Sequence, residues 1–458
     1  MTASTRRLDT SAGGSRRYAA PATGGAVLLC VALACALDPP QSLGLVVAVL
    51  LALTVLAYEA SVGLEFTLLG VAVAEPLLRN RIRILFVHPL AEQGGSENVL
   101  VRLIRTLDSR FEPTVLLMRR GPFERVFAEM DVPCHSVSLP GKRSVLAFPS
   151  TAAALARRFG TGHDLIHANG TKAALFSTFL ARRLDVPLLW MKHAHDFESW
   201  GPRVVGPECD RIACVSAAVA SPFSESLRDR IIVCHPGVPL PAETTPAAST
   251  DPIVVSVGRI DPHKGFDNLI RAVGLLRDRG IAGRIKIGGP PEPKAPEHRD
   301  ELIRLIAEHK LEDRAEVLGW VDDIQALYDE ARVVALGSRA PDRRARGVEG
   351  APLVLLEGMS HARAVVAPDD GGIAEIVGDA GSLVDAPEPD QLAAALGRYL
   401  ADADLAQQTG TAARKRVEAG FTIEQMTHLL EREYAQLAGR PYADPAPPPT
   451  IAQVSLPR

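Results

Sequence analysis

Residues Arg81 to Leu107 read RIRILFVHPLAEQGGSENVLVRLIRTL, and this stretch decides the fold. Ile82 to Val87 is apolar apart from Arg83, which fits a buried strand. Gly94-Gly95-Ser96 then opens a helix, because Val99, Leu100, Leu103, Ile104 and Leu107 recur at helical spacing. Strand, glycine turn and helix make the first unit of an alternating α/β chain. The alternation continues with a strand at Val115 to Met118 and a helix at Phe123 to Met130. Asp164 to Ala168, Pro187 to Met191 and Arg211 to Val215 are further short apolar runs between helical patterns. Such alternation implies a parallel sheet covered on both faces.

A proline-rich stretch without apolar period, 239–251, reads as a linker. After it the pattern restarts. Strands are expected at Ile253 to Val257, Arg284 to Ile287, Ala315 to Leu318, Val333 to Ala335 and Ala364 to Val366. Helices are expected at Phe266 to Arg279, Glu297 to His309, Val321 to Glu330, Pro352 to His361 and Phe421 to Leu437. Residues 79–238 and 252–440 therefore read as two doubly wound domains of similar size, with a proline-rich tail at 441–458. A ligand cleft is expected between them, at the carboxyl ends of the strands.

The N-terminal part has another character. Residues 1–25 read as a mobile tail, and 26–78 as a membrane hairpin plus an interfacial segment. Ala26 to Leu37 and Leu43 to Tyr58 are apolar runs joined by Asp38-Pro39-Pro40-Gln41. Each is shorter than the ~20 residues of a comfortable span, though flanking small residues extend both. Arg6, Arg7, Arg16 and Arg17 before the runs, and Arg79, Arg81 and Arg83 after them, favour both ends in the cytoplasm. A secretory signal ending near Ala34-Cys35-Ala36 is the rival reading, and the second apolar run beyond it argues against simple secretion. A buried helical hairpin in a soluble protein is the weaker rival.

Composition excludes some partners. The net charge is −4 and aromatic residues are 5%, which argues against a nucleic-acid binder. The six cysteines show neither a CxxC pair nor metal-type spacing with histidine, so they read as free thiols.

The chemistry lies in the second half. Val257-Gly258-Arg259-Ile260-Asp261-Pro262-His263-Lys264-Gly265 follows the first strand of the second domain. A glycine permits a sharp turn, and an Arg fork with a Lys point charge just before a helix suits a diphosphate. A solvated basic turn fits that segment alone equally well. Downstream, Glu349 and Glu357 lie eight residues apart in EGAPLVLLEGM. Glu349 falls in a loop, and the helix start after it offers backbone N–H groups to phosphate. The bland alternative is a surface loop with a capping glutamate. Gly371-Gly372-Ile373-Ala374-Glu375 supplies another glycine turn before a helix.

In order, Gly258-Arg259…Lys264-Gly265, Gly319-Trp320-Val321-Asp322-Asp323, Glu349-x7-Glu357 and Gly371-Gly372-x-x-Glu375 resemble family 4 of the retaining glycosyltransferases. Gly94-Gly95-Ser96-Glu97, His195-Asp196, Val215-Ser216 and Pro236-Gly237-Val238 match in the first half. The resemblance covers about residues 81 to 440. It implies a GT-B fold of two Rossmann-like domains and transfer of a sugar from a nucleotide-diphosphate sugar. It also assigns roles. Arg259 and Lys264 would stabilise the departing diphosphate, Glu349 would contact the donor sugar, and His195 would line the reaction centre. Those four form the expected catalytic set. Gly94, Gly95, Gly258, Leu353 and Val354 would join the donor site through their backbone, and Glu357 would hold the ribose. No cofactor and no metal is expected. The hairpin adds an expected cell-membrane location, with the catalytic domains on the cytoplasmic face and a lipid-linked acceptor. A catalytically silent GT-B scaffold and a GT-B sugar-nucleotide epimerase are the alternatives.

Overall fold

The computed structural model describes residues 81–89, 94–139, 142–160, 162–339 and 349–442. The expected tail at 1–25, the hairpin segment at 26–78 and nearly all of the proline-rich tail lie outside the described residues. Among the described residues no helix is long and apolar enough to cross a membrane.

The first lobe runs β1 (Ile82–His88), α1 (Gly95–Thr106), β2 (Phe111–Leu117), α2 (Phe123–Ala128), β3 (Cys134–Ser136), α3 (Phe148–Phe159), β4 (Leu165–Asn169) and α4 (Thr171–Leu184). It continues with β5 (Leu188–Lys192), α5 (Gly201–Val204), β6 (Arg211–Cys214), α6 (Ala217–Ala220) and β7 (Ile231–Val233). Its seven strands lie in the order β3-β2-β1-β4-β5-β6-β7, all parallel. Ile84, Leu85, Phe86 and Val87 are fully buried, which is why β1 carries a continuous apolar run rather than an alternating one.

The second lobe runs β8 (Ile253–Val257), α7 (Phe266–Asp278), β9 (Arg284–Gly288), α8 (His298–Glu308), β10 (Ala315–Gly319), α9 (Ile324–Glu330), β11 (Val333–Ala335), α10 (Leu353–Ser360) and β12 (Ala364–Pro368). Then come α11 (Ile373–Val377), β13 (Ser382–Val384), α12 (Pro389–Ala401), α13 (Ala403–Gly420) and α14 (Ile423–Leu437). Its parallel sheet has the order β10-β9-β8-β11-β12-β13. In both sheets the winding reverses beside the first strand, at β1/β4 and at β8/β11. That is where an open α/β sheet leaves a crevice for a ligand.

The chain ends differently from expectation. The predicted helix over 421–437 begins only at Ile423, and α14 does not belong to the second lobe. Its Met426, Leu430, Tyr434 and Ala435 are part of the first lobe's core. The chain thus crosses between lobes twice, at 237–238 and at 421–423. The Val238 N–H donates to the Phe421 carbonyl at 2.9 Å. The crossings pack so closely that a Cβ on Gly237 would lie 2.5 Å from Ile423 Cα. Thr422 and Gln425 then form a capping box that starts α14. The linker is not loose either: Ala247 is fully buried, and Arg363, itself buried, donates to the Thr245 carbonyl at 2.6 Å. Cys134, Cys209, Cys214 and Cys234 are free thiols, as expected from their spacing.

Candidate active site

The loop after β8 is shaped by backbone contacts that exclude side chains. Gly265 has φ 64°, and a Cβ there would lie 1.9 Å from the Gly337 carbonyl. Only glycine fits such a position. The turn fixes Lys264 beside the loop that leads into α10. Lys264 Nζ donates to Glu349 Oε1 at 2.7 Å, and Ser338 Oγ donates to the same oxygen at 2.6 Å. Two of the expected catalytic residues therefore meet directly. Arg259 turns to Glu292, with Nη1 3.0 Å from Oε2, and its side chain is 56% exposed. It stands at the mouth rather than beside Glu349.

Leu353 and Val354 form the first turn of α10. Pro352 precedes them, and among the described residues no side chain caps this N-terminus. Uncapped N–H groups at a helix start are a ready anion site. Glu357 lies one turn further in, and both its oxygens are engaged. The Tyr328 hydroxyl donates to Oε2 at 2.8 Å, and Arg102 of α1 donates to Oε1. Burial, reinforced by Glu357, pushes the Tyr328 hydroxyl well above its ordinary pKa, so it stays a donor. The side chain expected to hold a ribose is thus bridged to the other lobe.

The first lobe closes the cleft from its side. Gly94 caps α1 with extended backbone (φ −158°), and a Cβ on Gly95 would lie 4.0 Å from Leu353 Cδ1. The glycine turn therefore faces the start of α10. A Cβ on Gly350 would lie 2.2 Å from the His193 carbonyl, so the loop after β5 touches the residue next to Glu349. His195 sits on this same loop, its Nδ1 2.6 Å from Glu198 Oε1 and its Nε2 buried without a partner among the described residues. Lys192, fully buried, holds the loop by donating to the Ala194 carbonyl at 2.7 Å and to the Asp196 carbonyl and Oδ1 at 2.9 and 3.1 Å.

Several site residues carry no signal in the sequence. His193 stands two places before the residue singled out by the resemblance, yet it makes the contact with Gly350. His88, Glu97 and Asn169 are buried beneath the glycine turn. Of these only Glu97 falls within a motif, as the last residue of Gly94-Gly95-Ser96-Glu97. Ser338 and Lys192 have no motif around them. In the sequence Glu375 stands only as the end of a glycine motif. Its carboxylate accepts the Ala217 and Ala218 N–H groups at 2.7 and 2.9 Å, joining α11 to the start of α6 across the lobes. Burial alone would raise its pKa, but the bond from His235 and the two N–H groups outweigh it and hold it low.

This geometry has known counterparts. Residues 93–241 match the Glycosyltransferase Family 4 profile, and residues 242–416 match that of Glycosyl transferases group 1. A D-inositol 3-phosphate glycosyltransferase of Nocardia farcinica is 30% identical, across 78% of this chain and 89% of that relative. The chain belongs to the family 4 glycosyltransferases. The transferase is also similar to the lipopolysaccharide core biosynthesis mannosyltransferase LpcC of Rhizobium leguminosarum, 32% identical across 41% of this chain and 51% of LpcC. The crystal structure of Anabaena Alr3699/HepE, in complex with UDP and glucose, matches with a TM-score of 0.66 at 21% identity. It covers 78% of this chain and 100% of that one, and the likeness establishes the GT-B fold. The enzyme is accordingly a retaining glycosyltransferase.

Proposed function

We propose that the protein moves a sugar from a UDP- or GDP-sugar to a lipid-linked glycan or glycolipid on the cytoplasmic face of the cell membrane. The observation that carries the donor half is the meeting of Lys264 and Glu349 at the uncapped start of α10. Cation, carboxylate and helix N-terminus together suit a sugar joined to a diphosphate. The UDP and glucose bound by the HepE relative support the same reading.

In this reading the diphosphate lies between Lys264 and the N–H groups of Leu353 and Val354, with Arg259 reaching in from the mouth. Gly258, Gly94 and Gly95 leave room for it along the backbone. Glu349 accepts hydrogen bonds from sugar hydroxyls, and Glu357 turns from Arg102 to the ribose. Transfer breaks the bond between the anomeric carbon and the diphosphate oxygen and forms one to the acceptor hydroxyl. The acceptor proton ends on the departing diphosphate. Negative charge grows on that leaving group, so fixed cations in a closed cleft stabilise the transition state more than the ground state. Arg259 and Lys264 supply the positive charge, and the reading needs no metal or cofactor. His195 lies on the acceptor side, on the loop stapled by Lys192.

The acceptor half rests on the apolar runs within 26–78 and on the likeness to LpcC, a lipopolysaccharide core biosynthesis mannosyltransferase. A direct test supplies radiolabelled UDP-glucose and GDP-mannose to the full-length chain with membranes of the producing cells. Label is expected in the lipid-extractable fraction from one donor, reduced at least tenfold for Lys264→Ala. Label appearing only as free sugar or in water-soluble products would overturn the lipid acceptor.

A further inference from the structure

Glu349 and Glu357 flank the start of α10, and they are held differently. The bonds to Glu349 come from its own lobe, from Lys264 and Ser338. Glu357 is held from both lobes. Tyr328 of α9 donates to Oε2 at 2.8 Å, and Arg102 of α1 donates to Oε1. Arg102 Nη1 also lies 3.5 Å from the Gly237 carbonyl, at the first crossing between the lobes. The ion pair is largely enclosed, with side-chain exposures of 18% for Arg102 and 11% for Glu357. A charge-assisted bond so little screened by water and salt is among the strong ones.

Nothing in the sequence marks Arg102. It lies on α1 outside Gly94-Gly95-Ser96-Glu97, five places beyond the end of that motif. Yet its guanidinium takes the carboxylate that the cleft reading reserves for a ribose. The two hydroxyls of a ribose donate in parallel and are met best by both oxygens of one carboxylate. Tyr328 belongs to the same lobe as Glu357. Arg102 reaches the carboxylate from the other lobe, so its guanidinium spans the gap that a ligand between the lobes would enter. Released from Glu357, it keeps the Gly237 carbonyl as an acceptor.

We propose that Arg102 competes with the donor ribose for Glu357, so that an ion pair between the lobes sets the nucleotide affinity. The inference rests on the reading in which Glu357 receives a ribose. Without nucleotide the pair closes the ribose subsite. An incoming diol replaces the guanidinium on Oε1, and the pair re-forms as the nucleoside diphosphate leaves. The apparent affinity is then the intrinsic one multiplied by the fraction of molecules whose subsite is open. A nucleotide without the diol makes no use of Glu357, and its affinity does not depend on the pair.

The test titrates the full-length chain in detergent micelles at pH 8, by calorimetry, with UDP, GDP and their 2′,3′-dideoxy forms. Arg102→Gln removes the competing charge. The ribonucleotide that binds the wild type should bind the variant at least fivefold more tightly, while its dideoxy form changes less than twofold. Should Arg102→Gln not fold, Arg102→Met keeps the apolar stem and is read in the same way. Unchanged or weaker ribonucleotide binding by the folded variant overturns the competition. An equal gain for both forms overturns it too, because that is a looser cleft rather than a freed carboxylate. Failure of the folded wild-type chain to bind any of the four nucleotides sinks the cleft reading and the proposal with it. Wild-type binding that does not respond to the substitution sinks the competition alone.

Discussion

Lys264 and Glu349 illustrate what one residue pair can reveal in advance. Each stands in a short local motif, so spacing alone placed a cation after β8 and a carboxylate before α10. That the two lie 2.7 Å apart follows from β8 and β11 being neighbours, which pairs the ends of both loops. The hydrogen-bonded network of His88, Glu97, Asn169 and His193 is the opposite case. Its members span more than a hundred positions and meet only because β1, β4 and β5 are adjacent. Glu97 alone falls in a local motif, and no local pattern announces the other three. His167 makes a related prediction. It is fully enclosed in β4, and its Nδ1 lies 2.6 Å from the Tyr434 hydroxyl. Burial pushes its pKa down to about 3, and His193 adds to the effect. The folded pKa is depressed, so the unfolded chain takes up the proton first as pH falls. Stability from this group is complete above about 6.5 and drains between there and about 3, at about 1.4 kcal/mol per pH unit. Other buried histidines, His163 among them, add to it, so thermal melts from pH 7.5 to 4.5 should show at least this slope, and His167→Gln should make it shallower by about 1.4 kcal/mol per pH unit. An identical slope in the variant would contradict the assignment.

Elements were legible where their residues face one environment. The strands β1, β8 and β12 are buried on both sides, so each is an apolar run that cannot be mistaken. Helix α14 is amphipathic, and an apolar stripe does not name the surface that receives it. Placing it with the second lobe was the natural expectation, and it is corrected by the crossing at Phe421–Ile423. The consequence is measurable. Leu430 is fully buried in the first lobe's core. Leu430→Ala should cost about 2–5 kcal/mol in urea unfolding followed by a first-lobe probe such as Trp190 fluorescence. A cost below about 1 kcal/mol would mean that α14 does not complete that core. The same crossing explains why Gly237 tolerates no side chain: the two backbones meet there, and a side chain would separate the lobes at their joint.

At the scale of the molecule, two sheets wound about their first strands were readable from alternation, because parallel strands require intervening helices. The cleft was readable too, since both windings reverse at strand ends. What alternation could not supply was the set of contacts between lobes. Arg102 with Glu357, Glu375 with the start of α6, and Gly350 against His193 each join residues from separate sheets. They join α1, α6 and the loop after β5 in the first lobe to α10, α11 and the loop before α10 in the second. The central claim is that this cleft holds a nucleoside diphosphate through Arg259 and Lys264. Its most direct test is a calorimetric titration of the full-length chain with UDP, GDP and ADP, beside the Arg259→Ala/Lys264→Ala double variant. Micromolar binding of one nucleotide, weakened at least tenfold in the folded variant, is the predicted result. Binding of none of the three by a folded wild-type chain, or equal binding by the variant, would contradict it.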